Sequence, residues 1–137
     1  MSPPRAAGPR GIAMVEFALV LPLMLFVALG AVDLGRGYIA YMELEEAAQE
    51  GALYGSFAPS DPGLIEARIR SSSTGLVDLS AVVVDVTCPD ADLEVAVTLR
   101  YTLELITPLV GPLLGGSIDL GTRSVGTNFT DAACTAS

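Results

Sequence analysis

One charged residue lies inside the longest apolar stretch of the chain, and its position implies chemistry. Between Ile12 and Val32, Glu16 is the only charged side chain. A carboxylate in a bilayer costs about 3 kcal/mol even on the gentler insertion scales. Such a charge is tolerated when an opposite charge meets it in a low dielectric. We therefore expect Glu16 to pair with a charged group when the chain meets a partner.

The remaining composition argues against catalysis. The chain has no His, and it contains no P-loop, no GxSxG motif and no glycine-rich dinucleotide fingerprint. Ser, Asp and Glu are present without a neighbouring base that would mark an active site. We expect neither an enzyme nor a cofactor. The net charge of −9 also argues against nucleic-acid binding, which needs a positive surface.

The apolar stretch has the length of a membrane span. As a helix, residues 12–32 would be about 31 Å long, close to the hydrocarbon thickness of a bilayer. Arg5 and Arg10 precede it, whereas acids dominate the sequence that follows. The positive-inside rule then places the N-terminus in the cytoplasm and the C-terminal part outside. We predict a basic leader at 1–11, a transmembrane helix at 12–33, a helical stem at 34–57 and a small α+β domain at 58–137. Within the leader, residues 1–10 are expected to form no helix or strand.

The start of the apolar segment resembles the cleavage site of type IV prepilins. It consists of Gly11, four apolar residues, Glu16, Phe17 and a long apolar run. In that family a prepilin peptidase cuts after the glycine. The glutamate at the fifth mature position neutralises the new N-terminal amine of a neighbouring subunit. The resemblance implies cleavage between Gly11 and Ile12, and a role for Glu16 and Phe17 in subunit assembly.

The resemblance is closest to the TadE-like pseudopilins of the tight-adherence (Flp) pilus system. It rests on Arg10-Gly11, Val15-Glu16-Phe17-Ala18, Leu21-Pro22-Leu23, then Asp33, Gly35 and Arg36, and the small residues of 47–55. It implies a minor subunit in the bacterial inner membrane or a surface pilus. The implied partners are other pilin subunits, the prepilin peptidase, the inner-membrane assembly platform and membrane lipid.

Two other interpretations remain open for the N-terminal segment. Ala28-Leu29-Gly30 is an acceptable signal-peptidase site, which would make the segment a secretory signal. The segment could also be a plain signal anchor. In either case the chain would be a single-span or secreted envelope binding or scaffold protein without a pilus role.

The sequence beyond the span predicts a helix followed by a sheet. One helical face is predicted for Tyr38, Tyr41, Leu44, Ala48 and Ala52. A stem of this length would hold the C-terminal domain well clear of the bilayer. Asp61 and Pro62 predict the start of a short helix that ends near Ser72.

Residues 93–105 alternate between apolar and polar side chains, which predicts a strand with one buried face. Further strands are predicted at 81–87 and about 118–129, with an apolar loop or single helical turn at 107–116. The result is a three-stranded antiparallel meander covered by the outer half of the stem.

Three groups of side chains could form a disulfide or a metal site. In a meander, Cys88 and Cys134 lie near the same end of the sheet, so they could form a disulfide; two free thiols are the alternative. The acids of the hairpin region and of the stem are more consistent with solvated or partner-facing surfaces than with a metal site. These acids are Asp85, Asp90, Asp92, Glu43, Glu46 and Glu50.

Overall fold

Two helices and three strands make up the fold. The structure is a computed structural model that describes residues 9–72, 75, 77–90, 93–107 and 115–136. The helices are α1 (Pro9–Gly55) and α2 (Pro62–Ser71), and the strands are β1 (Val83–Thr87), β2 (Glu94–Glu104) and β3 (Ser117–Thr127). The predicted α+β class, with a long N-terminal helix packed on a three-stranded antiparallel sheet, is confirmed.

Helix α1 runs without a break through the predicted span and stem. It begins at Pro9, so the prediction that residues 1–10 contain no helix is wrong for Pro9 and Arg10. Proline is well tolerated in a first helical turn, where its missing N–H would have no helical acceptor. The boundaries proposed at residues 33 and 57 divide the chain by function, and they stay predictions.

The sheet has the order β1-β2-β3, and both pairings are antiparallel. Val86 lies opposite Val97, and Val95 lies opposite Gly126. The alternation predicted for β2 is present, because Val95, Val97 and Leu99 are buried while Arg100 and Thr102 are exposed. Ala96, on the opposite face, is also buried, and Leu93, which the alternation places on the buried face, is exposed just before the strand begins. The strand ends differ from the predicted ones by one or two residues.

Strand β2 runs antiparallel to α1 along the outer part of that helix. The contacts place Val95 near Gly55, Val97 near Gly51 and Leu103 near Gly37. The stem therefore does not separate the domain from the predicted span. The stem is instead one wall of the core, and it contributes the buried side chains of Ala40, Leu44, Ala47, Ala48 and Ala52.

Tyr38 and Tyr41 do not share the buried face of α1, contrary to the prediction. Both tyrosines are exposed, whereas Leu44 is fully buried. A step of three residues falls about 60° short of a full helical turn. Two such steps put Tyr38 roughly 120° away from Leu44 around the helix. The buried face instead passes through Asp33, Ala40 and Leu44.

Helix α2 closes the end of the sheet that is distant from the predicted span. The Asp61 side chain accepts a hydrogen bond from the Leu64 backbone N–H at 3.1 Å, which confirms the predicted cap. Ile65 and Ile69 are fully buried against the core. Most of the predicted apolar loop at 107–116 lies outside the described residues.

Candidate functional site

The apolar part of α1 is exposed on all sides within the described residues. Between Gly11 and Val32 only Phe26 and Gly30 are partly covered. This helix contains a window of mean hydropathy 2.5, of which 0% is buried, and it is long and apolar enough to cross a membrane. Monomeric soluble proteins rarely expose an apolar surface of this size. Such an exposed apolar helix fits a membrane-anchored protein.

Gly11 and Ile12 lie in the first turns of this exposed helix. A Cβ atom added to Gly11 would have nothing within 4 Å. The fold of this chain therefore does not require glycine at this position. The first backbone N–H groups of a helix have no helical acceptor, so a protease would need little free energy to unwind the segment locally.

Glu16 and Phe17 follow on the same exposed surface. The ion pairs among the described residues involve Arg36, Arg68 and Arg70, and none of them includes Glu16. Glu16 is thus an acid beside a large apolar surface, and the side chains that the structure describes supply no cation for it. That arrangement favours assembly with a partner that brings a positive charge.

A second polar feature, Asp33, was not identified from the sequence as a structural residue. Its side chain is only 7% exposed. It accepts hydrogen bonds from the Ile106 N–H at 3.1 Å, the Thr107 N–H at 2.9 Å and the Thr107 hydroxyl. Arg36 approaches the same carboxylate at 3.6 Å and donates to the Glu104 carbonyl at 3.5 Å. Asp33 and Arg36 therefore fasten the end of β2 to α1.

Replacing Asp33 with alanine is expected to release the end of β2 from the helix. The Ile106 and Thr107 amides would lose their acceptor, and an unmade hydrogen bond at a buried site is costly. We expect amide hydrogen exchange at these two positions to accelerate by about tenfold or more. Asp33→Asn is the matched control because its carbonyl retains one acceptor, so its effect should be smaller. Unchanged exchange in both variants would show that Asp33 does not hold this segment.

Two of the three glutamates in the predicted stem row bind within the domain. Glu50 pairs with Arg68 of α2 at 2.6 Å, and Glu43 accepts a hydrogen bond from the Val77 N–H at 2.9 Å. Glu46 is exposed. No group of acidic, His or Cys side chains among the described residues could hold a metal ion. Asp85 and Asp90 are exposed, and Asp92 lies outside the described residues.

Cys88 and Cys134 are joined by a disulfide in the structure, with their Cα atoms 6.0 Å apart. The bridge links the end of β1 to the C-terminal segment, whose Thr135 N–H binds the Pro59 carbonyl at 2.9 Å. In the loop-entropy account, such a bridge stabilises the fold by about 3–4 kcal/mol.

We expect the bridge to form in an oxidising compartment. Intact mass measured before and after reduction should rise by the mass of one hydrogen atom for each sulfur. Alkylation of both cysteines without reductant would instead show two free thiols. The variant Cys88→Ser should lower the melting temperature, whereas Ser60→Ala at an exposed turn should leave it nearly unchanged.

A comparison with protein families supports the resemblance noted in the sequence. Residues 11–53 match the family described as TadE-like protein. The matched region contains Gly11, Glu16 and Asp33, and it ends within the outer part of α1. Neither the comparison with curated proteins nor that with solved structures gives a match. The match covers 43 of the 137 residues and lies entirely within α1.

Proposed function

We propose that this chain, whose residues 11–53 match the TadE-like family, is a minor pseudopilin-like subunit of a Tad/Flp-type pilus assembly or secretion machine. One observation carries the proposal. The N-terminal half of α1 is apolar, exposed on all sides, and has an acid for which the described residues supply no ion-pair partner. This surface does not stabilise the fold of the monomer, so we infer that it binds other molecules.

The proposed sequence of events begins in the inner membrane. The prepilin peptidase cuts on the cytoplasmic side after Gly11, which leaves a positively charged amine on Ile12. Glu16 lies four residues further along the helix, about 6 Å away. In an assembly, the carboxylate of one subunit would meet the amine of its neighbour, and each charge would be neutralised where water is excluded. The apolar surfaces of adjacent helices, including Phe17, would pack around this pair.

The sheet domain would work outside the cytoplasm. In the Flp pilus family that the sequence resembles, the major subunits are short. A chain with an additional folded domain therefore fits a minor or priming role. The partners would be other pilin subunits, the peptidase, the inner-membrane assembly platform and lipid. Residues 33–137 would supply contacts to these partners rather than catalysis.

Processing can be tested with two glycine variants of the same exposed helix. Gly11→Val should retain the leader when it is expressed with a prepilin peptidase, because the residue before the scissile bond is changed. Gly30→Val is the control, since a Cβ at either glycine has nothing within 4 Å and neither change disturbs the fold. The mass of the membrane-extracted chain shows whether the leader has been removed. We expect the rate of cleavage to fall tenfold or more for Gly11→Val alone, which corresponds to roughly 1.4 kcal/mol in barrier height.

The opposite pattern would refute this proposal. If Gly30→Val retains its N-terminal segment and Gly11→Val is cut, the segment is a secretory signal that is removed after Gly30. If both variants and the wild type remain uncut, the chain is a signal-anchored envelope protein. Either result would favour a binding or scaffold role without pilus assembly.

A further inference from the structure

We propose that the end of the sheet nearest the predicted span lies in the outer leaflet of the membrane and contacts phospholipid acyl chains. The contact surface, called the base surface here, consists of Leu34, Tyr38, Ile106 and Ile118. This inference rests on the membrane anchoring in the proposed function. It goes further by assigning a lipid contact to the folded domain, which the sequence had placed well away from the bilayer.

Hydrogen bonds to the end of the predicted span fix the height of the base surface along α1. The Ile106 N–H binds the Asp33 carboxylate at 3.1 Å, and the Thr107 N–H binds it at 2.9 Å. Asp33 is the last residue of that span, so the segment after β2 lies at the height where the helix leaves the hydrocarbon. The sheet therefore begins at the membrane interface.

The base surface is apolar and open. Leu34 is 76% exposed, Tyr38 is 66% exposed and Ile106 is 60% exposed. Ile118 on the neighbouring strand is also exposed. Tyr38 lies about 7.5 Å beyond Asp33 along the helix, which is the interfacial level where tyrosine is enriched in membrane proteins. These side chains continue the apolar surface of the span onto the folded domain.

The backbone at this level is already hydrogen-bonded. The Leu105 N–H donates to the Gly116 carbonyl at 3.1 Å, and the next two N–H groups donate to Asp33. Unsatisfied backbone groups are very costly in contact with hydrocarbon. A segment with three successive N–H groups satisfied within the protein can approach acyl chains without the cost of exposing those N–H groups.

A cleft of about 270 Å³ opens beside the base surface, between α1 and the ends of the strands. Its lining includes Gly30, Leu34, Leu105 and Leu120. Asp33 and Thr107 of the lining are hydrogen-bonded to each other, and the other polar side chain of the lining is that of Tyr38. The cleft therefore offers mainly apolar contacts, at a depth that acyl chains can reach.

The nearby charges favour an apolar rather than an electrostatic contact. Glu104 and Asp119 are exposed acids near this end of the sheet. Arg36 is engaged by Asp33 and by the Glu104 carbonyl. This surface therefore offers little attraction to anionic headgroups, and zwitterionic phosphatidylcholine is the appropriate probe lipid.

The chain contains no Trp, so single tryptophans can report on lipid contact without background. Ile106→Trp probes the base surface, and Ile118→Trp is a second probe on another strand. Leu93→Trp is the matched control because Leu93 is 61% exposed and Ile106 is 60% exposed. Leu93 precedes β2, a strand roughly 35 Å long, so it lies far from the base surface. Leu23→Trp in the middle of the span tests the membrane anchoring itself.

Each full-length variant is placed, one chain per disc, in nanodiscs of phosphatidylcholine with or without brominated acyl chains. We expect brominated lipid to remove about half of the emission of Ile106→Trp and of Ile118→Trp, as for an interfacial indole in contact with acyl chains. Their emission should also lie at shorter wavelength than that of Leu93→Trp, which should not be quenched. The quenching should not change with salt concentration, because the contact is apolar.

Several results would overturn the proposal. Quenching of Leu23→Trp but of neither base-surface probe would refute the lipid contact and leave the anchoring intact. No quenching of Leu23→Trp would refute the anchoring and the inference together. Short-wavelength emission without quenching would show that protein covers the base surface. Equal quenching of Leu93→Trp and Ile106→Trp would show that the contact is not specific to this end of the domain.

Discussion

Gly126→Ala is expected to destabilise the domain by about 3 kcal/mol. Gly126 of β3 faces the last turns of α1. A Cβ at this position would lie 2.3 Å from the Ala52 carbonyl oxygen and 2.3 Å from the Ser56 hydroxyl oxygen. That carbonyl is held by hydrogen bonds from the Ser56 hydroxyl at 2.9 Å and the Ser56 N–H at 3.0 Å. Because the obstacle includes helix backbone, a side-chain rotation cannot relieve the clash.

The same strand offers a matched control. A Cβ at Gly121 would be 3.7 Å from its nearest neighbour, the Leu99 carbonyl oxygen, which is an ordinary contact distance. Gly121→Ala should therefore change stability by less than about 0.5 kcal/mol, or raise it slightly by restricting the unfolded chain. Thermal unfolding of both variants in detergent, followed by circular dichroism, measures the difference. Equal melting temperatures would contradict the close packing of β3 on α1.

Glu16→Ala is expected to leave cleavage intact but to lower the association constant for assembly roughly a hundredfold. The reason is that the positive charge of the proposed buried pair would remain without its partner. The residue is exposed, so its removal should not affect folding. The measurement is the amount of mature chain that co-purifies from membranes with the other pilin subunits of the same system. Glu16→Gln should behave similarly, since it retains the shape and loses the charge.

Met14→Ala is the control for the Glu16 variants, because it also shortens an exposed side chain of the same helix. It should retain most of the co-purification, since no buried charge is left without a partner. If Glu16→Ala and Met14→Ala co-purify equally with other subunits, the carboxylate has no role in assembly. An uncut Glu16→Ala chain would instead assign the residue to recognition by the peptidase.

The regular parts of the fold were predictable because their signals are local. Alternation over residues 93–105 identifies β2, and Asp61-Pro62 identifies the start of α2. The antiparallel meander follows because strands that are consecutive in the chain usually lie next to each other in a sheet. The exposed span, with Gly11 and Glu16 in it, was predictable because composition and spacing alone define it.

The contacts between distant segments were not predictable in the same way. Nothing in the spacing of Asp33 shows that Ile106 and Thr107 donate hydrogen bonds to it, since the pairing depends on how β2 lies along α1. The exposure of Tyr38 was missed because each step of three residues moves the side chain further around the helix from the buried face. The close approach at Gly126 also requires the packed structure, because glycine in a strand has several explanations.

The central claim is that the exposed N-terminal helix is a processed assembly element, and the N-terminal sequence of the wild-type chain tests it most directly. The chain should be recovered from membranes of cells that also make a prepilin peptidase. We expect a mature chain that begins Ile12-Ala13-Met14-Val15-Glu16. A chain that retains residues before Gly11, or one that begins after Gly30, would contradict it.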